Sequence, residues 1–147
     1  MARLLFSLIL VGGLFLPPAA TGQELSSSEE RAINAVIQAQ LDAFKNHDAD
    51  AAFALAAPGI KARFQTAEDF ISMVAAQYLP LYNPKQTEFL GFVEEGPAVI
   101  QRLKVLGPDG NEYIAYYPME RQADGIWKIG GCYIEPFAAE PAPGTDA

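Results

Sequence analysis

From Gln86 onward the sequence is punctuated at short intervals by turn signals, and this punctuation constrains the fold more than any other feature. Gly96-Pro97, Pro108-Asp109-Gly110 and Asp124-Gly125 separate four runs rich in β-branched and aromatic residues. The runs are Gln86 to Glu94, Ala98 to Leu106, Glu112 to Arg121 and Ile126 to Ile134. Connections this short join neighbouring strands only as antiparallel hairpins. The pattern therefore predicts a four-stranded antiparallel sheet. Pro118 has no N–H to give to a ladder, which predicts an edge or a bulge there. Gly130-Gly131 marks another bulge or a bend.

The first half reads differently. Ser26 with Glu29, and Ser27 with Glu30, form two overlapping capping boxes. Behind them Ile33, Val36, Ile37, Leu41 and Phe44 recur at helical spacing, predicting a helix from about Ser28 to Asn46. Asp48 is placed to cap a second helix that stops at Pro58-Gly59. Ile60 to Phe64 reads as a connector. Thr66, with Asp69 three positions on, predicts the cap of a third helix running to about Tyr78, and Tyr78 to Pro84 reads as irregular. Three helices followed by an antiparallel meander predict an α+β domain over residues 23–137, with the helices packed on one face of a twisted sheet. Such a sheet wrapped on helices encloses a conical space where a ligand would sit.

Both chain ends are read apart from that domain. Arg3, the apolar run Leu4 to Leu16, Pro17-Pro18 and small residues to Gly22 follow the order of a cleavable secretory signal peptide over residues 1–22. The run falls short of the ~20 apolar residues that span a bilayer. Cleavage after Gly22 or Ala20 predicts a periplasmic or secreted protein with no stable membrane insertion. Residues 138–147 are small, Pro-rich and partly acidic, and predict a disordered tail. Loss of Arg3 takes the formal charge from −8 to −9, which disfavours nucleic acid and anionic membranes as partners. The single cysteine, Cys132, excludes an internal disulfide, and with a single histidine it excludes a zinc site of ordinary spacing. No cofactor is expected, since no phosphate-cradling loop is present. The core rests on packing alone, for which 50% hydrophobic residues suffice.

Few residues carry candidate chemistry. His47 with Asp48 and Asp50 has the look of a general base with orienting carboxylates. A tight interhelical turn followed by a cap explains the same spacing without further assumptions. Cys132 has no neighbour that would lower its pKa, and packing explains it better than redox chemistry. The tyrosines Tyr78, Tyr82, Tyr113, Tyr116, Tyr117 and Tyr133 each offer an apolar body and a hydroxyl, suited to pocket walls or interfaces. In the third strand, alternation puts Tyr113, Ala115, Tyr117 and Met119 on one face and Ile114 and Tyr116 on the other. Arg63 and Arg102 are the cations to compare, as anion clamps or as surface residues. The ligand-pocket candidates are Tyr78, Tyr82, Tyr116, Arg63 and Arg102.

Two stretches, Asp42-Ala43-Phe44-Lys45-Asn46-His47-Asp48-Ala49-Asp50 and Gly125-Ile126-Trp127-Lys128-Ile129, resemble the nuclear transport factor two-like (cystatin-like) superfamily. Pro58 to Phe64, Phe70 to Val74, Tyr82-Asn83-Pro84 and Trp127 to Cys132 look more closely like a bacterial family, domain of unknown function 4864. The resemblance covers roughly Arg31 to Ile134. It implies a cone-shaped fold and, for the superfamily, dimerisation through the sheet. It implies no reaction, because such folds serve isomerases, dehydratases, cyclases and pure binding modules alike. The Asp, Tyr and acid set of isomerase-type members has no residue-by-residue match here. The expected function is a non-enzymatic module for a small apolar or amphipathic ligand or a protein partner. The alternative is an isomerase, dehydratase or hydrolase using His47 or a pocket carboxylate such as Glu88.

Overall fold

Ser26 begins the helical half as the sequence predicts. In the computed structural model, which describes residues 24–138, its hydroxyl accepts from the Glu29 N–H at 3.3 Å. The Glu29 carboxylate accepts in return from the Ser26 N–H at 3.0 Å. Two of the four orphan donors at this end are thereby paired. The predicted signal peptide, and all but the first residue of the predicted tail, lie outside the described residues.

Helix α1 (Ser27–Lys45) buries Ile33, Ile37, Leu41 and Phe44 on one stripe. Burying side chains of this size is worth roughly 1.5–3 kcal/mol each relative to exposure. The helix ends at Lys45, and two residues later His47, with a φ of 54°, turns the chain through the left-handed region. Asp48 then caps α2 (Ala49–Ala54), its carboxylate accepting from the Ala51 N–H at 3.0 Å. Thr66 caps α4 (Ala67–Gln77) through a 3.1 Å bond from the Asp69 N–H.

Two one-turn helices, α3 (Pro58–Lys61) and α5 (Leu79–Tyr82), correct the expectation of three helices. The first spans the Pro58-Gly59 break and the start of the stretch read as connector, and the second lies in the segment read as irregular. Each carries a proline in its first turn, where the missing N–H costs nothing. Among the described residues, no helix is long and apolar enough to cross a membrane.

The sheet has five strands rather than four, in the order β1 (Gln86–Glu95), β2 (Ala98–Leu106), β3 (Glu112–Arg121), β4 (Trp127–Ile129), with β5 (Tyr133–Pro136) also on β3. The predicted fourth strand is split. Its first part pairs with the end of β3 (Met119 with Ile129), and its second with the start of β3 (Tyr116 with Tyr133). Between them Gly130, Gly131 and Cys132 face only Tyr117 and Pro118.

Proline explains the split. In an antiparallel ladder a residue's N–H and C=O point to the same neighbour. The Pro118 carbonyl accepts from the Gly130 N–H at 2.8 Å, so its absent N–H falls on that same side. One rung cannot form there. β3 is thus an inner strand, not an edge, and the irregularity sits in the segment opposite the proline.

A second bulge lies in β1, where Leu90 and Gly91 together oppose Arg102. The carbonyls it frees are taken by the Gln101 amide (2.6 Å to Leu90) and the Arg102 guanidinium (3.2 Å to Gly91). The face of the sheet carrying Leu103, Val105, Ala115, Tyr117, Met119 and Ile129 packs on the helices and completes the core.

Candidate ligand-binding cavity

Where the 130–132 segment leaves the ladder, the sheet and helices part around a cavity of about 360 Å³. Phe44 from α1, Phe64 from the loop before α4, and Phe70 and Val74 from α4 line its apolar side. The phenyl rings support one another. Phe64 meets Phe70 edge-on at 5.4 Å between centroids, and Phe53 lies 5.3 Å from Phe70 behind them. Edge-on and tilted contacts of this kind suit the charge distribution of aromatic rings.

Polar groups are few. Tyr78 stands at the end of α4 and donates from its hydroxyl to the Cys132 carbonyl at 3.1 Å. That bond ties the last turn of the helix to the wall formed opposite Pro118. Gln40 projects from α1 into the buried region and gives its amide to the Ala52 carbonyl at 3.3 Å. Tyr117 is 1% exposed, and among the described residues its hydroxyl has no hydrogen-bond partner of ordinary geometry. Its polar neighbour is the Cys132 thiol.

Burial governs the titration of this cluster. It pushes the Cys132 thiol up to about 12, with the Tyr117 hydroxyl pulling weakly the other way. Burial also lifts the Tyr117 hydroxyl well above its ordinary value, and it raises Tyr78. Cys132 as a residue is half-buried, but its thiol is shut away. A thiol held protonated in this way is a weak nucleophile at neutral pH.

Of the five candidates read from the sequence, Arg63 and Tyr78 line the cavity. The other three lie elsewhere. The Tyr82 hydroxyl is 2.6 Å from His47 Nδ1, and its ring packs beside Phe44. Tyr116 is on the outer sheet face, stacked on Tyr133 at 4.7 Å and donating to Glu135 at 2.7 Å. That bond to the carboxylate raises the Tyr116 pKa. Arg102 fastens the β1 bulge.

His47 is exposed in its turn, and Glu88 sits on β1 opposite Lys104. Neither lines the cavity. Gln40 was missed, although a polar residue lying between Ile37 and Phe44 on an apolar helix stripe was a signal within reach. Among the described residues Arg63 is the one charged side chain in the lining.

Helices gathered on one face of an antiparallel sheet, with a cavity between the layers, define an α+β protein. The chain belongs to the family described as domain of unknown function 4864, which it matches over residues 26–142. Among solved structures it is similar to an NTF-2 like protein of unknown function from Burkholderia xenovorans LB400. The two are 17% identical, with a TM-score of 0.48, covering 78% of this chain and 90% of that one. No curated protein matches the chain.

Proposed function

We propose that this protein is a non-enzymatic module that holds a small apolar or amphipathic molecule in a cone-like space between its helices and its sheet. The observation that carries this reading is the composition of the 360 Å³ cavity: aromatic and aliphatic walls, two amides, two hydroxyls, a thiol and one guanidinium, and, among the described residues, neither a carboxylate nor an imidazole in the lining. Pockets of this volume and character are the usual seats of small ligands. General acid–base chemistry needs a titratable group near neutrality within reach of the bound molecule. The groups that touch the cavity are instead a protonated thiol, tyrosines with raised pKa values and an arginine. The reading includes export: with the residues 1–22 leader removed, the module works in the periplasm or outside the cell.

The test uses 1-aminoanthracene, a neutral fluorophore that brightens and shifts to the blue in apolar surroundings. Saturable brightening at one molecule per chain is expected. Met73→Trp, which fills the cavity from a partly exposed position, abolishes it while leaving cooperative unfolding intact. A folded wild-type protein that leaves the fluorophore unchanged overturns the reading. Where the fluorophore binds, native mass spectrometry of protein taken from its own host's envelope identifies the natural occupant.

A further inference from the structure

Charge is distributed unevenly between this protein and its cavity. The full chain carries 18 acidic against 10 basic residues, yet among the described residues no acidic side chain lines the cavity and one basic side chain does. That residue, Arg63, lies in the turn after α3 and is exposed, which puts it at the mouth. Among the described residues its guanidinium enters no ion pair, whereas Lys104 and Arg121 are each paired with a glutamate. An arginine offers a planar fork of donors that matches a carboxylate in two parallel hydrogen bonds. Behind it the walls are apolar: Phe44, Phe64, Phe70, Val74 and Leu81.

From this we infer that the cavity takes an amphipathic monocarboxylate, with its head on Arg63 and its hydrocarbon body among the phenylalanines. The inference rests on the ligand-binding reading above and names the class of ligand. Size agrees with it. Pockets for small ligands run from about 300 to 1,000 Å³, and at about 360 Å³ this one lies at the small end, the range of a medium-chain amphiphile rather than a long-chain lipid. The charge also selects against the wrong ligand. A cationic amphiphile of the same length would bring its head against Arg63 and be repelled.

The test is displacement of bound 1-aminoanthracene by decanoate, decanol and decylammonium, each below its aggregation limit, in the full mature chain. Decanoate is expected to displace the fluorophore at about one-tenth the concentration decanol requires, and decylammonium to be the weakest. Arg63→Gln removes the difference between decanoate and decanol. Arg102→Gln, a cation outside the cavity, keeps it. Acetate and inorganic phosphate, heads without the body, displace nothing at the decanoate concentration.

Equal displacement by decanoate and decanol overturns the inference while leaving the ligand-binding reading standing. A preference for decanoate that survives Arg63→Gln overturns the assignment of the head group to Arg63. Displacement by phosphate alone overturns the amphipathic part. A protein that binds neither fluorophore nor any member of the series overturns the parent reading, and this inference with it.

Discussion

The Tyr78 hydroxyl reaches across 54 residues of sequence to the Cys132 carbonyl and bonds it at 3.1 Å. It is the single side-chain link between the end of α4 and the glycine-rich wall among the hydrogen bonds of the described residues. Tyr78→Phe keeps the ring and removes the bond. A loss of about 1 kcal/mol in a urea titration is expected, together with faster amide exchange at Gly131 and Cys132. Unchanged exchange in that segment would show that the wall is held by other contacts.

Gln101 and Arg102 both serve the β1 bulge, but from opposite sides of the water boundary. Gln101 is fully buried, and its amide also reaches the Arg102 carbonyl at 2.8 Å. Gln101→Leu leaves the part-buried Leu90 carbonyl without its donor and is expected to cost about 1–3 kcal/mol. Arg102→Ala leaves a carbonyl that water can reach, and should cost clearly less. The two midpoints, measured side by side, decide the ordering.

Alkali should weaken the fold through Cys132. Its thiol ionises near 9.0 when unfolded and near 12 when folded, so between those values the native state holds more protons than the unfolded state. Stability is therefore complete below about pH 9 and falls as pH rises toward 12, by at most roughly 1 kcal/mol per unit in the middle of that window. Tyr78 and Tyr117 shift in the same direction and steepen the fall above 10. Cys132→Ala removes the thiol's share. A variant whose stability declines as steeply as wild type between pH 9 and 10 would contradict the assignment.

Asp48 caps a helix of only six residues, so its bond to the Ala51 N–H carries a large part of what holds that helix. Asp48→Ala is expected to lower stability by about 1 kcal/mol, and Asp48→Asn by much less. Thermal unfolding of the pair separates loss of the cap from loss of the charge.

Features with a local cause were readable in the sequence. The caps at Ser26, Asp48 and Thr66 depend on a few neighbouring residues, and β2 and β3 end at the turns that their glycines and prolines mark. α3 and α5 were not readable, because a single turn shows no periodicity. The β1 bulge was hidden for a different reason: Leu90-Gly91 continues an unbroken strand-like run, and its cause is pairing with β2.

The site was half readable. Alternation already separated Tyr116 from Tyr117, but both faces of β3 are partly apolar, so the pattern alone did not say which one the helices cover. Arg63 and Tyr78 meet at one cavity only because the loop after α3 and the end of α4 converge there. No local pattern encodes that convergence.

Pro118 lies on the face of β3 turned away from the cavity, and it is not part of the lining. Its missing N–H nevertheless determines where the opposite chain leaves the ladder, and so where the cavity wall stands. The shape of this cavity therefore depends partly on a residue that no inventory of its lining would include. Homologues that replace this proline should differ in the course of the segment opposite it, and with it in the width of the space between sheet and helices.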